Sequence, residues 1–98
     1  MGWAEAFPVR KSVPWRALDT EALVVDVKGG LLYPLNAVGA RIWQLCDGAS
    51  SVEEIVAALA AEFEAPEATI RVDAVEFIER LAEAKLVSIE RRRKEESR

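Results

Sequence analysis

The sequence predicts a small α+β domain, and three observations predict it. Between Val13 and Leu35 apolar residues alternate with a period of two around two turn signals; after Asn36 the period changes to 3.6; and Ser51 with Glu54 opens a further helical stretch as a capping box. Three strands and then three helices, with a short turn between the first two helices, make a three-stranded antiparallel β-meander followed by three α-helices. That architecture is of winged helix-turn-helix type.

The strands follow in order. Val13, Trp15 and Ala17 alternate with Pro14 and Arg16 up to Leu18, and Pro14 marks an edge or a strand start. Asp19-Thr20 supplies a turn. Ala22 to Val27 is β-branched and apolar, with Leu23, Val25 and Val27 on one face and Asp26 on the other. Lys28-Gly29-Gly30 reads as a hairpin turn, because glycine takes the positive φ that tight hairpins need, and Leu31 to Leu35 returns as the third strand.

The helices follow the change of period. Asn36 can cap the first through its side-chain oxygen, and Val38, Ile42 and Leu45, flanked by Trp43 and Cys46, form its apolar stripe up to Asp47-Gly48. Val52, Ile55, Val56, Leu59 and Phe63 line the second until Ala65-Pro66 breaks the chain. Ile70, Ala74, Phe77, Ile78 and Leu81 make the core stripe of the third, which runs to about Ala84. Leu86, Val87 and Ile89 can add a short strand.

A chain of 98 residues, 51% of them hydrophobic and 31% charged, forms one domain at most. Residues 1–12 read as an N-terminal arm that Trp3 and Phe7 could dock on the body, residues 13–89 as the domain, and residues 90–98 as a charged, frayed tail. The longest stretch without a charge, Gly29 to Ala40, is 12 residues, short of the roughly 18 that span a bilayer. Without an export signal the expected address is the cytoplasm.

Histidine is absent, and Cys46 is the single cysteine, so the commonest general base, an internal disulfide and a thiolate zinc cage are all missing. Cys46, on an apolar helix face, reads as a buried inert thiol. Glu53, Glu54, Glu62, Glu64 and Glu67 read as solvated charges, since they lack the Asp/Gly loop of a calcium site. No metal, cofactor or catalytic residue is implied. The net charge of −4 is uneven: residues 47–88 hold ten acids against Arg71, Arg80 and Lys85. A nucleic acid would meet repulsion there.

The segment from Leu35 through Asn36, Gly39, Arg41, Ile42, Trp43 and Leu45 to Gly48 resembles the signature of the PqqD-like family, and Ser51 to Val56 continues the resemblance. Trp15 to Leu18 and Val24 to Gly30 sit where that family has its strands and hairpin. The resemblance covers about residues 9–89. It implies a non-catalytic domain that binds the leader of a ribosomally made precursor peptide and presents it to a modifying enzyme, often a radical S-adenosylmethionine protein. Members devoted to pyrroloquinoline quinone tend to carry Tyr-Pro-Glu-Gly before the leucine-asparagine pair, whereas here Tyr33-Pro34 runs straight into Leu35-Asn36. The pathway, pyrroloquinoline quinone or another, therefore stays open.

The resemblance also implies that the leader adds as a strand beside the third strand and lies against the third helix, the β-augmentation mode. Leu31, Leu32, Tyr33 and Leu35 are then the strand's candidates. At 100° per residue Val72 and Val75 fall well away from the core stripe, and they join Glu76 and Glu79 as the helix's candidates. Two rival classes are carried alongside. A winged-helix DNA regulator is opposed by Glu67, Asp73, Glu76, Glu79 and Glu83 on the third helix, the wrong sign for phosphate. A dimerisation module, giving a homodimer through Trp3 and Phe7, is the other.

Overall fold

A computed structural model describes residues 3–92 of the chain. In order, the elements are β1 (Ala6–Arg10), β2 (Trp15–Leu18), β3 (Glu21–Asp26), β4 (Leu31–Leu35), α1 (Ala37–Leu45), α2 (Val52–Glu62), α3 (Glu67–Glu83) and β5 (Val87–Arg91), with a 3-10 turn over Trp3–Glu5 ahead of β1. The predicted α+β meander and three helices are all present, and a second, two-stranded sheet of β1 and β5 is added to them.

The meander is antiparallel in the order β2-β3-β4. Leu18 lies opposite Glu21, so Asp19-Thr20 closes a two-residue hairpin, with Asp19 at a φ of 61°. The β3–β4 turn is longer: the Gly29 N–H donates to Asp26 Oδ1 at 3.1 Å and Gly30 takes a φ of 69°. The face that β3 buries is the one opposite Leu23, Val25 and Val27. Ala22 and Val24 are enclosed in the core, whereas Leu23 and Val25 are half-buried and Val27 is 67% exposed. Residues 22–25 are apolar on both faces, so alternation alone could not choose between them.

Each helix is bounded by its own residues. Asn36 Oδ1 accepts from the Gly39 N–H at 2.9 Å to cap α1, and Ser51 and Glu54 exchange the two bonds of the capping box at α2. The ends of α2 and α3 share one device. At α3 the Leu86 N–H donates to the Leu81 carbonyl and the Lys85 N–H to that of Ala82, with Lys85 at a φ of 63°, which is the Schellman closure. At α2 the Ala65 N–H donates to the Ala60 carbonyl and Glu64 takes a φ of 51°. Between α1 and α2, Arg41 grips Glu62 at 2.9 Å, and these hydrogen bonds hold the Glu62 carboxyl below its usual range. With both side chains about two-fifths exposed, such a pair contributes about 0.2–1 kcal/mol.

Ile42, Trp43, Ile55, Val56, Leu59, Ile78 and Leu86 form the centre of the core. Trp43 is fully enclosed and meets Trp15 in a T-shaped contact at 6.3 Å. Its Nε1 has no hydrogen-bond partner among the described residues, a cost of about 1–3 kcal/mol. Burying ~150–250 Å² of indole at ~25 cal/mol per Å² gains roughly 4–6 kcal/mol, so burial wins.

The N-terminal segment is docked, with Phe7 buried and Trp3 packed against the core, but it docks as a strand, and β5 runs past the expected start of the tail. Ala6, Phe7 and Pro8 are buried, and β1 pairs with β5 from Ala6 opposite Arg91 to Arg10 opposite Val87. Glu90 and Arg91 therefore belong to a strand, and the Arg92 N–H donates to the Glu5 carbonyl at 2.9 Å. The partner strands lie some eighty positions apart, and Pro8 interrupts the local alternation, so no short window of sequence contains the pairing. Arg10 adds a tie: its Nη1 donates to the carbonyls of Trp43 and Gln44 at 3.2 and 2.8 Å, capping the C-terminus of α1. The expected tail from residue 93 onward, and the first two residues, lie outside the described residues.

Candidate functional site

Among the described residues strand β4 has a neighbour on one side only, and what its open edge offers follows from the register. The Val25 N–H donates to the Pro14 carbonyl on the β2 side at 2.9 Å, and in an antiparallel sheet alternate residues turn their backbone groups the same way. Leu23 and Val25 thus face β2, while Ala22, Val24 and Asp26 face β4. Their partners Leu35, Tyr33 and Leu31 bond to β3, which leaves Leu32 and Pro34 facing outward. The free edge offers one donor, the Leu32 N–H, and two acceptors, the carbonyls of Leu32 and Pro34. Pro34 stands where its missing N–H weakens no sheet bond, the position edge strands reserve for proline.

Beside this strand a cleft of about 360 Å³ separates the end of β4 from α3. Pro34, Leu35 and Asn36 form one wall, Val38, Gly39 and Ile42 of α1 the floor, and Ile70, Asp73, Glu76, Phe77 and Arg80 of α3 the other wall. The helices approach closely at the floor: a Cβ on Gly39 would lie 3.3 Å from both Phe77 Cζ and Asn36 Oδ1. Asp73, Glu76 and Arg80 are exposed on the rim, and none of the ion pairs among the described residues involves them, although Glu76 and Arg80 stand at i,i+4. A larger hollow of about 570 Å³ lies between the β3–β4 turn, the β1–β2 connection and the end of α3, and no residue of β4 lines it.

Of the residues singled out from the sequence, the cleft brings together Leu35, which is buried, and Glu76. Leu31 and Leu32 are 53% and 62% exposed along the same strand, and Tyr33 is half-buried against the core. Val72, Val75 and Glu79 do not line the cleft. Helical geometry is the reason: Asp73, Glu76, Phe77 and Arg80 fall in one sector of about 100°, while Val75 lies about 160° and Val72 about 140° from Phe77. Val75 packs on the opposite flank of the core, and Val72 is 58% exposed. Phe77, expected in the core, is half-buried at the junction of core and cleft. Phe77, Asp73 and Arg80 line the cleft and are not among the candidates read from the sequence. The signal for them was a sector mixing one large apolar residue with charges, on the flank away from the two valines.

The other candidate groups have structural uses. Cys46 is fully enclosed, and burial pushes its thiol up to about 12, so it stays protonated and inert. Glu54 serves the capping box, Glu53 and Glu67 pair with Arg71, and Glu62 pairs with Arg41, so these are not merely solvated charges. No group of acids and cysteine suited to a metal ion occurs among the described residues, and no described helix is long and apolar enough to cross a membrane.

The family model of coenzyme PQQ synthesis protein D (PqqD) matches residues 21–87. Among solved structures, TbiB1 in complex with the TbiA(beta) leader peptide is similar to the chain at 31% identity and a TM-score of 0.73, over 82% of this chain and 94% of that one. The solution structure of the PqqD truncation of Methylobacterium extorquens PqqCD, described as a functional, stand-alone recognition element for ribosomally synthesized and post-translationally modified peptides, is similar at 19% identity and a TM-score of 0.67, over 83% of this chain and 87% of that one. No curated protein matches the chain. With two thirds of its length matched by that model and its strands and helices laid out as in both structures, the chain belongs to the PqqD family of non-catalytic peptide-binding domains and has the recognition-element fold.

Proposed function

We propose that this chain binds the leader of a ribosomally made precursor peptide as an added strand along the open edge of β4, and holds it for a modifying enzyme in the cytoplasm. The observation that carries the reading is the juxtaposition of an unpaired strand edge with an adjoining cleft: the edge supplies backbone affinity and the cleft supplies choice of side chain. Similarity to a protein solved with a leader peptide supports the same occupant. The residues we assign to contact are Leu32 and Pro34 on the edge, and Leu35, Gly39, Glu76 and Phe77 in the cleft. A radical S-adenosylmethionine protein is one class of enzyme this presentation would serve.

Calorimetric titration with leader segments of small peptides encoded near the gene tests this, with amide shifts recorded in parallel. One of them should bind with a Kd of about 1 μM or tighter and move the resonances of Leu31–Leu35. If none binds, or if binding leaves β4 unmoved, the reading is wrong.

A further inference from the structure

Resting on the leader-binding reading, we infer that this cleft selects an extended segment carrying a basic, an apolar and an acidic side chain at alternating positions. Three observations combine. The floor of Val38, Gly39 and Ile42 is apolar, and Phe77 adds an apolar ring on the α3 wall beside it. About one α3 turn on the N-terminal side of Phe77 stands Asp73, with Glu76 next to Phe77 on the same side of the sequence, and on the C-terminal side stands Arg80, all exposed and without ion-pair partners among the described residues. The wall is thus polarised along the helix axis, negative and then positive.

Spacing decides how a strand would read that wall. Along the helix axis Asp73 lies about 6 Å before Phe77 and Arg80 about 4.5 Å after it. A strand sends every second side chain to one face, at about 6.6 Å intervals. Three consecutive helix-facing residues of a strand therefore span about 13 Å, close to the ~10.5 Å from Asp73 to Arg80, and flexible charged ends absorb the difference. The apolar side chain sits on Phe77, a lysine or arginine two positions away meets Asp73 and Glu76, and an aspartate or glutamate two positions the other way meets Arg80. Wrong partners are rejected by like charge, which contributes specificity more than affinity.

Random peptides of about twelve residues, long enough to cross the cleft, displayed on phage and selected on the full chain, test the inference without knowledge of the natural leader. Selected sequences should be enriched in the basic, apolar, acidic pattern at alternate positions. The best of them should bind the double variant Asp73→Lys, Glu76→Lys about tenfold more weakly. Replacing its basic residue with glutamate should restore affinity for that variant to within about threefold, and Arg80→Glu should invert the preference at the other end. Selected peptides that move the β4 amide resonances but show no charge pattern, or that ignore the variants, would overturn the inference while leaving leader binding intact. A selection yielding no peptide that touches β4 would overturn both.

Discussion

Gly39 and Phe77 approach so closely that a Cβ on the glycine would sit 3.3 Å from the phenylalanine Cζ, which makes the missing side chain on α1 part of the shape of the cleft on α3. The Phe77 ring is half-buried with open cleft beside it, so it can yield by moving outward.

Replacing Gly39 with alanine should therefore alter binding more than stability. Alanine gains at most about 0.8–1 kcal/mol of helix propensity, which offsets the cost of displacing the Phe77 ring and the Asn36 capping oxygen, each 3.3 Å from the new Cβ, by a few tenths of an ångström. The expected result is a melting temperature within about 4 °C of the parent and leader affinity lowered about three- to tenfold as the ring encroaches on the cleft. Thermal melts and calorimetry read the two effects separately. Unchanged binding would place Phe77 outside the path of the leader.

A proline scan of β4 distinguishes the open edge from the paired one. The Leu32 N–H faces outward and serves no sheet bond, so Leu32→Pro removes the one donor the edge offers a leader. Net loss of a hydrogen bond is about 0.5–1.5 kcal/mol, a two- to tenfold weakening, with the sheet retained. The adjacent Tyr33→Pro instead deletes a donor to β3 opposite Val24 and should lower the melting temperature sharply. Equal damage from both variants in a melt would mean that the register assigned to the edge is wrong.

At the end of α3 the chain holds a lysine where glycine is easier. Lys85 sits at a φ of 63° in the Schellman closure and is exposed. Relieving that conformation outweighs the extra flexibility glycine brings to the unfolded chain. Lys85→Gly should stabilise the fold by about 0.5–1 kcal/mol, or roughly 2–8 °C. A denaturant melt giving lower stability would show that the lysine side chain supplies more than its backbone costs.

Legibility in the sequence tracked how local each determinant is. The capping box of Ser51 and Glu54, the Asn36 cap and the turn at Asp19 each lie within a few residues, and all were read from the sequence alone. Strand β1 was not, because Phe7 gains its burial from a strand some eighty residues onward. The cleft wall was half legible. Two apolar sectors on α3 pointed to Val72 and Val75, but the lining sector is mostly charged, and hydrophobicity does not reveal a charged rim around a single phenylalanine. The open edge of β4 was implied by resemblance, and its outward pair became readable only from the register.

The N-terminal segment gives the sharpest test of where this domain begins. Phe7 is 4% exposed and stacks under the Arg92 guanidinium at 4.0 Å, and Arg10 closes the last carbonyls of α1. Phe7→Ala should cost about 3–5 kcal/mol, a large share of the roughly 5–15 kcal/mol that holds a domain folded, and lower the melting temperature by more than about 10 °C. Arg10→Met keeps the aliphatic stem and removes the cap, for which about 1.5–3 kcal/mol is expected because the donor is charged. Truncation at Lys11 combines both losses and strips β5 of its partner, so the shortened chain should show no cooperative melt above room temperature. A truncated chain that melts like the parent would return residues 1–10 to the status of a dispensable arm, and it would place the determinants of the fold wholly within the meander and the three helices.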